Sequence, residues 1–253
     1  MKVRLIAAVL ALAAAAMSFA QGPPVASVRV LSSNGVKAAI EELRPAAERA
    51  IGKPLAIEFS TTTSLKQRVE SGEAFDVALL TREAMDDLAK KARISGASRA
   101  GLARSGVGVG YRKGAAKPNV ATSAAIKQTL LRAKSVAFTA DGASRATIDK
   151  MFESLGIAKE MDGKTYLEAA GQAPLRVAEG KAELVLTLVS DILPVPGVEL
   201  AGPLPASFQN YIVFEAGVSP SARAADAGKA LVQFLSSPAA AKVFAAKGME
   251  AAK

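Results

Sequence analysis

Three times along this chain a short apolar run ends in a turn of serine, threonine, asparagine or glycine and passes directly into a helical pattern. Val28–Leu31 leads through Ser32–Gly35 into a helix over 36–51, and Leu55–Phe59 leads through Ser60–Thr63 into a helix over 64–71 that Gly72 closes. Ser135–Thr139 leads through Ala140–Ser144 into a helix over 145–155, where Ile148, Met151, Phe152 and Leu155 share one face. Strands that alternate with helices in this way make an α/β fold with mostly parallel sheets. Phe75–Leu80, almost continuously apolar, is the pattern of a parallel strand covered on both faces.

The rest of the chain reads as a strand over 106–111, helices over 84–92, 123–133 and 165–179, and a strand over 183–189. A linker-like proline-rich stretch over 194–205 precedes a strand over 210–218 and two closing helices. The last of these is capped by Ser237, begun by Pro238 and ended by Gly248. Pro45 inside the first helix predicts a kink.

Each polar turn presents unpaired backbone N–H groups, hydroxyls and the positive end of a helix dipole at the carboxyl edge of a sheet. Such donors suit an anion. They equally suit a serine or threonine that only caps its own helix, worth about 1 kcal/mol. Recurrence at three strand ends favours a ligand, because α/β proteins bind at that edge.

Composition narrows the chemistry. The 253 residues contain no His, Cys or Trp, which removes disulfide frameworks, zinc-finger spacings, catalytic cysteines and Ser-His-Asp relays. Gly163-Lys164-Thr165 ends like a phosphate-binding loop, but Ala158 stands where the first glycine is required. Gly106, Gly108 and Gly110 lack the dinucleotide spacing and lie within a strand, so close packing explains them. Asp86-Asp87 and Glu41-Glu42 are solvated helix-surface pairs without a calcium loop. No metal, cofactor or catalytic residue is expected.

Residues 1–20 read as a cleaved secretory leader: Lys2 and Arg4, an apolar run from Leu5 to Met17, then Ser18-Phe19-Ala20 with small residues at the cleavage positions. A periplasmic location follows from that reading. The formal charge of +9 is concentrated where Arg82–Arg132 carries eleven Lys or Arg against Glu83, Asp86 and Asp87. Tyr111 is the lone aromatic of this basic section, so nucleic acid is not the expected partner. A solvated basic surface that mildly attracts an anion is. Arg104, entering the second block, either grips a ligand oxyanion or pairs with a structural acid such as Asp76; Arg82 is a weaker candidate.

Taken in order, the segments Val30–Gly35, Ile57–Thr63, Phe75–Thr81, Leu102–Val109, Ile192–Val198 and Phe234–Phe244 resemble the periplasmic solute-binding proteins of ABC importers, in particular their molybdate-binding-like branch. The resemblance spans the chain after the leader. It implies a two-lobed type II periplasmic-binding-protein fold: lobe one from 25–103 plus 208–253, lobe two from 104–207, joined by crossover strands near 102–107 and 205–212. It further implies a monomer whose lobes close on a small anion, a molybdate-like oxyanion or organic carboxylate, for delivery to an inner-membrane ABC permease. By this resemblance Ser33, Asn34, Thr62 and Thr63 bind from lobe one and Gly142, Ala143 and Ser144 from lobe two, with Arg104 a further candidate. Thr187 replaces the tyrosine that molybdate binders commonly present from a late strand, which predicts room for a larger anion. The expected role is binding rather than catalysis, with an exported sensor or enzyme on the same fold as the alternative.

Overall fold

A computed structural model describes residues 27–252; the expected leader lies outside these residues. The chain runs β1 (Val28–Ser33), a 3-10 turn at Asn34–Val36, α1 (Lys37–Ile51), β2 (Leu55–Ser60), α2 (Thr62–Glu70), β3 (Val77–Thr81), α3 (Arg82–Lys90) and the long β4 (Ala100–Arg112). There follow α4 (Ser123–Arg132), β5 (Val136–Thr139), α5 (Arg145–Leu155), α6 (Ala158–Asp162), β6 (Thr165–Glu168), α7 (Ala173–Ala178), β7 (Leu184–Leu188) and α8 (Val189–Ile192). The chain closes with β8 (Val198–Pro203), β9 (Tyr211–Val218), α9 (Ala225–Leu235), α10 (Pro238–Ala246) and β10 (Glu250–Ala251).

The strands form one curled sheet in the order β2-β1-β3-β9-β4-β7-β5-β6, with β8 and β10 also pairing β4. β4 is the shared spine. Its first part, through Gly106, runs antiparallel to β9, and from Val107 onward it runs antiparallel to β7. At the change of partner the Gln209 side chain accepts from the Val107 N–H at 2.8 Å and donates to the Val107 carbonyl at 2.9 Å. A Cβ at Gly106 would sit 3.1 Å from that amide, so glycine is what lets the side chain lie against the strand. Gly108 and Gly110 serve packing as expected: a Cβ at Gly110 would come within 2.7 Å of Val185.

Parallel register aligns the polar turns. β1 pairs β2 from Val28↔Leu55 to Ser33↔Ser60, so the first two turns leave the sheet side by side. β5 runs parallel to β7, so their carboxyl ends also point together. β3 is buried along its whole length, as its apolar run requires. Ile148, Met151, Phe152 and Leu155 of α5 are buried, with Phe152 set edge-on to Phe138.

α1 runs through Pro45 as one helix from 37 to 51. Two local expectations need correction. Residues 165–179 are not one helix: Thr165–Glu168 pairs in parallel with β5, and Gly171, at φ +76°, breaks the chain before α7. The proline-rich stretch is not a free linker, because β8 within it pairs antiparallel with β4. The Ser237 hydroxyl does cap α10, accepting from the Ala240 N–H, and Pro238 begins that helix.

Candidate functional site

The carboxyl ends of the two halves of the sheet meet around a small cavity of about 30 Å³. A water needs roughly 10–15 Å³ on this measure, so the space matches about two waters or one carboxylate or tetrahedral oxyanion group. Ser33, Asn34, Gly35, Thr61 and Thr62 line it from one side. Thr139, Gly142, Ala143, Ser144, Ala170, Gly171, Thr187, Leu188 and Asp191 line it from the other. This volume is smaller than the larger anion predicted from Thr187 would need.

The three turns differ in what their hydroxyls do. Thr61 caps α2, its Oγ1 accepting from the Ser64 N–H at 3.2 Å. That leaves Thr62 Oγ1 buried without a hydrogen-bond partner. Ser33 and Ser144 precede their helices without capping them. Capping alone therefore does not account for these residues. Of the first-turn N–H groups, Ser64 of α2 is taken by Thr61 Oγ1 and Arg145 of α5 by the Gly142 carbonyl, while the rest have no intrahelical acceptor; both helices begin at the same cavity.

Several bonds cross between the halves. Thr61 Oγ1 donates to Asp141 Oδ2 at 2.6 Å and Thr63 Oγ1 to the Asp141 carbonyl at 3.2 Å. Ser190 Oγ donates to the Gly35 carbonyl at 2.8 Å, and a Cβ at Gly171 would lie 3.4 Å from Asn34 Nδ2. The cavity is thus latched at its rim and at its floor.

Of the residues expected at the site, Ser33, Asn34, Thr62, Gly142, Ala143, Ser144 and Thr187 come together. Thr63 stands at the rim on Asp141. Arg104 is elsewhere: it pairs with Glu250 at 2.6 Å and stacks over Tyr211. Nor does it hold Asp76, which accepts from the Arg29 and Ala224 N–H groups. Arg82 is bound to Glu215.

Asp191 was not singled out from sequence. It sits on α8 immediately after β7, four residues beyond Thr187, whose hydroxyl donates to its Oδ2 at 3.1 Å. Burial pushes its carboxyl up to about 6, against the Thr187 hydrogen bond, which lowers it. The spacing of a threonine and an aspartate across a strand end is the only sequence signal it offers, and that spacing is common. Among the described residues no cluster of acids forms a metal site, and no helix is long and apolar enough to cross a membrane.

Comparison with known proteins agrees with this architecture. Residues 28–250 match the model of the bacterial extracellular solute-binding proteins. The chain belongs to that family. It has the two-lobed type II solute-binding fold. The periplasmic molybdate-binding protein of Azotobacter vinelandii superposes with a TM-score of 0.77 at 16% identity, over 90% of this chain and all of that one. The sulfate-binding protein SubI of Mycobacterium tuberculosis gives 0.66 at 16% identity, over 88% and 86%. In sequence, this solute-binding protein is 31% identical over 233 residues to an aconitate isomerase of a Pseudomonas species, covering 90% of this chain and 88% of the relative.

Proposed function

We propose that this protein is an exported solute-binding protein that closes on one anionic group, a carboxylate or a tetrahedral oxyanion, in the cleft between lobe one (25–103 plus 208–253) and lobe two (104–207). The observation that carries the reading is Thr62 Oγ1, a buried hydroxyl with no protein partner, on a residue that lines a cavity where two helices begin. Burying a hydroxyl without a partner costs free energy that an anion bound there would recover. Ser33, Asn34 and Thr62 bind from one side and Gly142, Ala143 and Ser144 from the other, with no fixed counter-charge, as backbone N–H groups and helix dipoles permit. Closure then consists of making the Thr61–Asp141, Thr63–Asp141 and Ser190–Gly35 bonds over the ligand. Delivery to an ABC permease, after removal of a leader near Ala20, completes the role.

A second reading has its own support. The aconitate isomerase relative is matched along nearly its full length, and Asp191 supplies an acid–base group inside the cavity. In that reading the fold has been turned to proton transfer on an unsaturated carboxylate, with a more open cleft admitting the rest of the molecule.

One experiment separates them. The purified protein is screened by thermal shift against molybdate, tungstate, sulfate, phosphate, citrate and the two aconitate isomers. Each aconitate isomer is also incubated with protein and followed by proton NMR. Specific binding raises the melting temperature. Stabilisation without conversion supports the binding protein, conversion of one isomer into the other supports the isomerase, and neither effect at millimolar ligand refutes both.

A further inference from the structure

Asp191 is out of place in a cleft built to receive an anion. Every other side chain lining the cavity is neutral, and the charged groups on the elements around Asp191 are committed elsewhere. On β4, Arg104 is held by Glu250, Tyr111 donates to Glu199 of β8, and Arg112 lies beyond Tyr111 toward Gly180. β7 and the Asn34–Val36 turn carry no ionisable side chain. Across the cavity mouth Asp141 is bonded by Thr61, and Arg145 pairs with Asp149. No cation therefore stands against Asp191 to hold it ionised.

Its two oxygens are unequal. Oδ2 accepts from Thr187, whereas Oδ1 takes no hydrogen bond from the described residues. An anion brought into so small a space would meet a second negative charge, and two anionic groups sharing a site retain one proton between them.

We propose that Asp191 holds a shared proton in the liganded cleft, so that capture takes up one proton from solvent and the site favours the anion of a weak carboxylic acid. The proton bridges Asp191 Oδ1 and a ligand carboxylate oxygen, while Oδ2 keeps its bond from Thr187. No bond to carbon is made or broken, and the proton returns to solvent on release. A carboxylate suits this position because its proton affinity is close to that of Asp191 itself, so the proton is shared rather than owned by one partner. The inference rests on the anion-binding reading above. Burial has already moved the free Asp191 carboxyl up to about 6, and a second anion moves it further in the same direction.

The test is calorimetric titration at pH 7.5 with citrate, cis-aconitate, trans-aconitate, sulfate and molybdate, each in buffers of different ionisation enthalpy. For a carboxylate that binds, the wild-type protein should take up close to one proton per ligand, and its affinity should fall about tenfold per pH unit between pH 7 and 8. Asp191→Asn should take up none and bind with a flat pH profile. Binding without proton uptake, or uptake that persists in Asp191→Asn, overturns the proposal. Binding of sulfate or molybdate alone overturns the ligand class. If no probe binds, the anion-binding reading itself falls, and this one with it. Should the variant not fold, the wild-type proton count decides.

Discussion

Replacing Asp191 with asparagine should stabilise the free protein at pH 8 and leave it unchanged at pH 4. The carboxyl is pushed up to about 6 from an ordinary value of 3.8, mainly by burial. A raised carboxyl means that the folded protein holds this proton more tightly than the unfolded chain does. Below pH 4 both states are protonated and the group contributes nothing. Between pH 4 and 6 the unfolded chain loses the proton first, so stability falls as pH rises. Above pH 6 the whole penalty applies: roughly two units at about 1.4 kcal/mol each, an upper bound of about 3 kcal/mol because Asp191 keeps some exposure to water. Asparagine keeps an oxygen to accept from Thr187 and removes the charge. For a protein of this size a gain of that order at pH 8 corresponds to up to roughly 6–12 °C in melting temperature. Thermal denaturation of both proteins at pH 4, 6 and 8, without ligand, measures it directly. An equal difference at all three pH values would refute the reasoning, because the effect would then be one of packing rather than of charge.

Thr62→Val should raise the stability of the free protein by about 1 kcal/mol, since it removes a buried hydroxyl that has no protein partner, yet abolish ligand-induced stabilisation; a retained thermal shift would count against Thr62 as a ligand donor. Glu215→Gln should cost roughly 2–3 kcal/mol in urea denaturation, because buried Glu215 receives both Arg82 and Arg99, with allowance for the partial exposure of the two arginines. Gly35→Ala places a Cβ 2.4 Å from Phe214 Cζ and 2.9 Å from Leu188 Cδ1. It should destabilise by about 1–3 kcal/mol in the same assay and weaken ligand binding by displacing the floor of the cavity.

Most of the fold was legible in the sequence because parallel strands covered on both faces write themselves as apolar runs, and the helices between them as periodic ones. Phe75–Leu80 and the Ile148–Leu155 face are examples. The failures have physical causes. Thr165–Glu168 is four residues long and follows a helical turn, so its pairing with β5 is a tertiary fact that no local pattern carries. Pro194–Pro205 looks like a linker because its prolines mark turns, and only the β4 spine reveals that the residues between them pair as a strand. At the site, helix starts are visible as polar turns, so seven of the nine expected binding residues line one cavity. Arg104 misled because a guanidinium near a junction has many uses, and Glu250, only three residues from the end of the chain, claims it.

Asp191 was missed for a related reason, and it changes what the absence of His, Cys and Trp means. That absence removes the residues that ordinarily titrate near neutrality and leaves hydroxyls and backbone amides free to hold an anion. Burial supplies such a group from an ordinary aspartate. A residue of this kind has no signature in sequence, since its chemistry comes from the walls around it and not from its type or spacing. The same walls give it two opposed effects: they penalise the ionised free protein at neutral pH, and they favour a complex in which one proton lies between two carboxylates. If that proton is shared as proposed, ligand binding would relieve a strain that the empty cleft carries above pH 6. Capture would then be strongest where the surroundings are mildly acidic, and release would be aided wherever they are not.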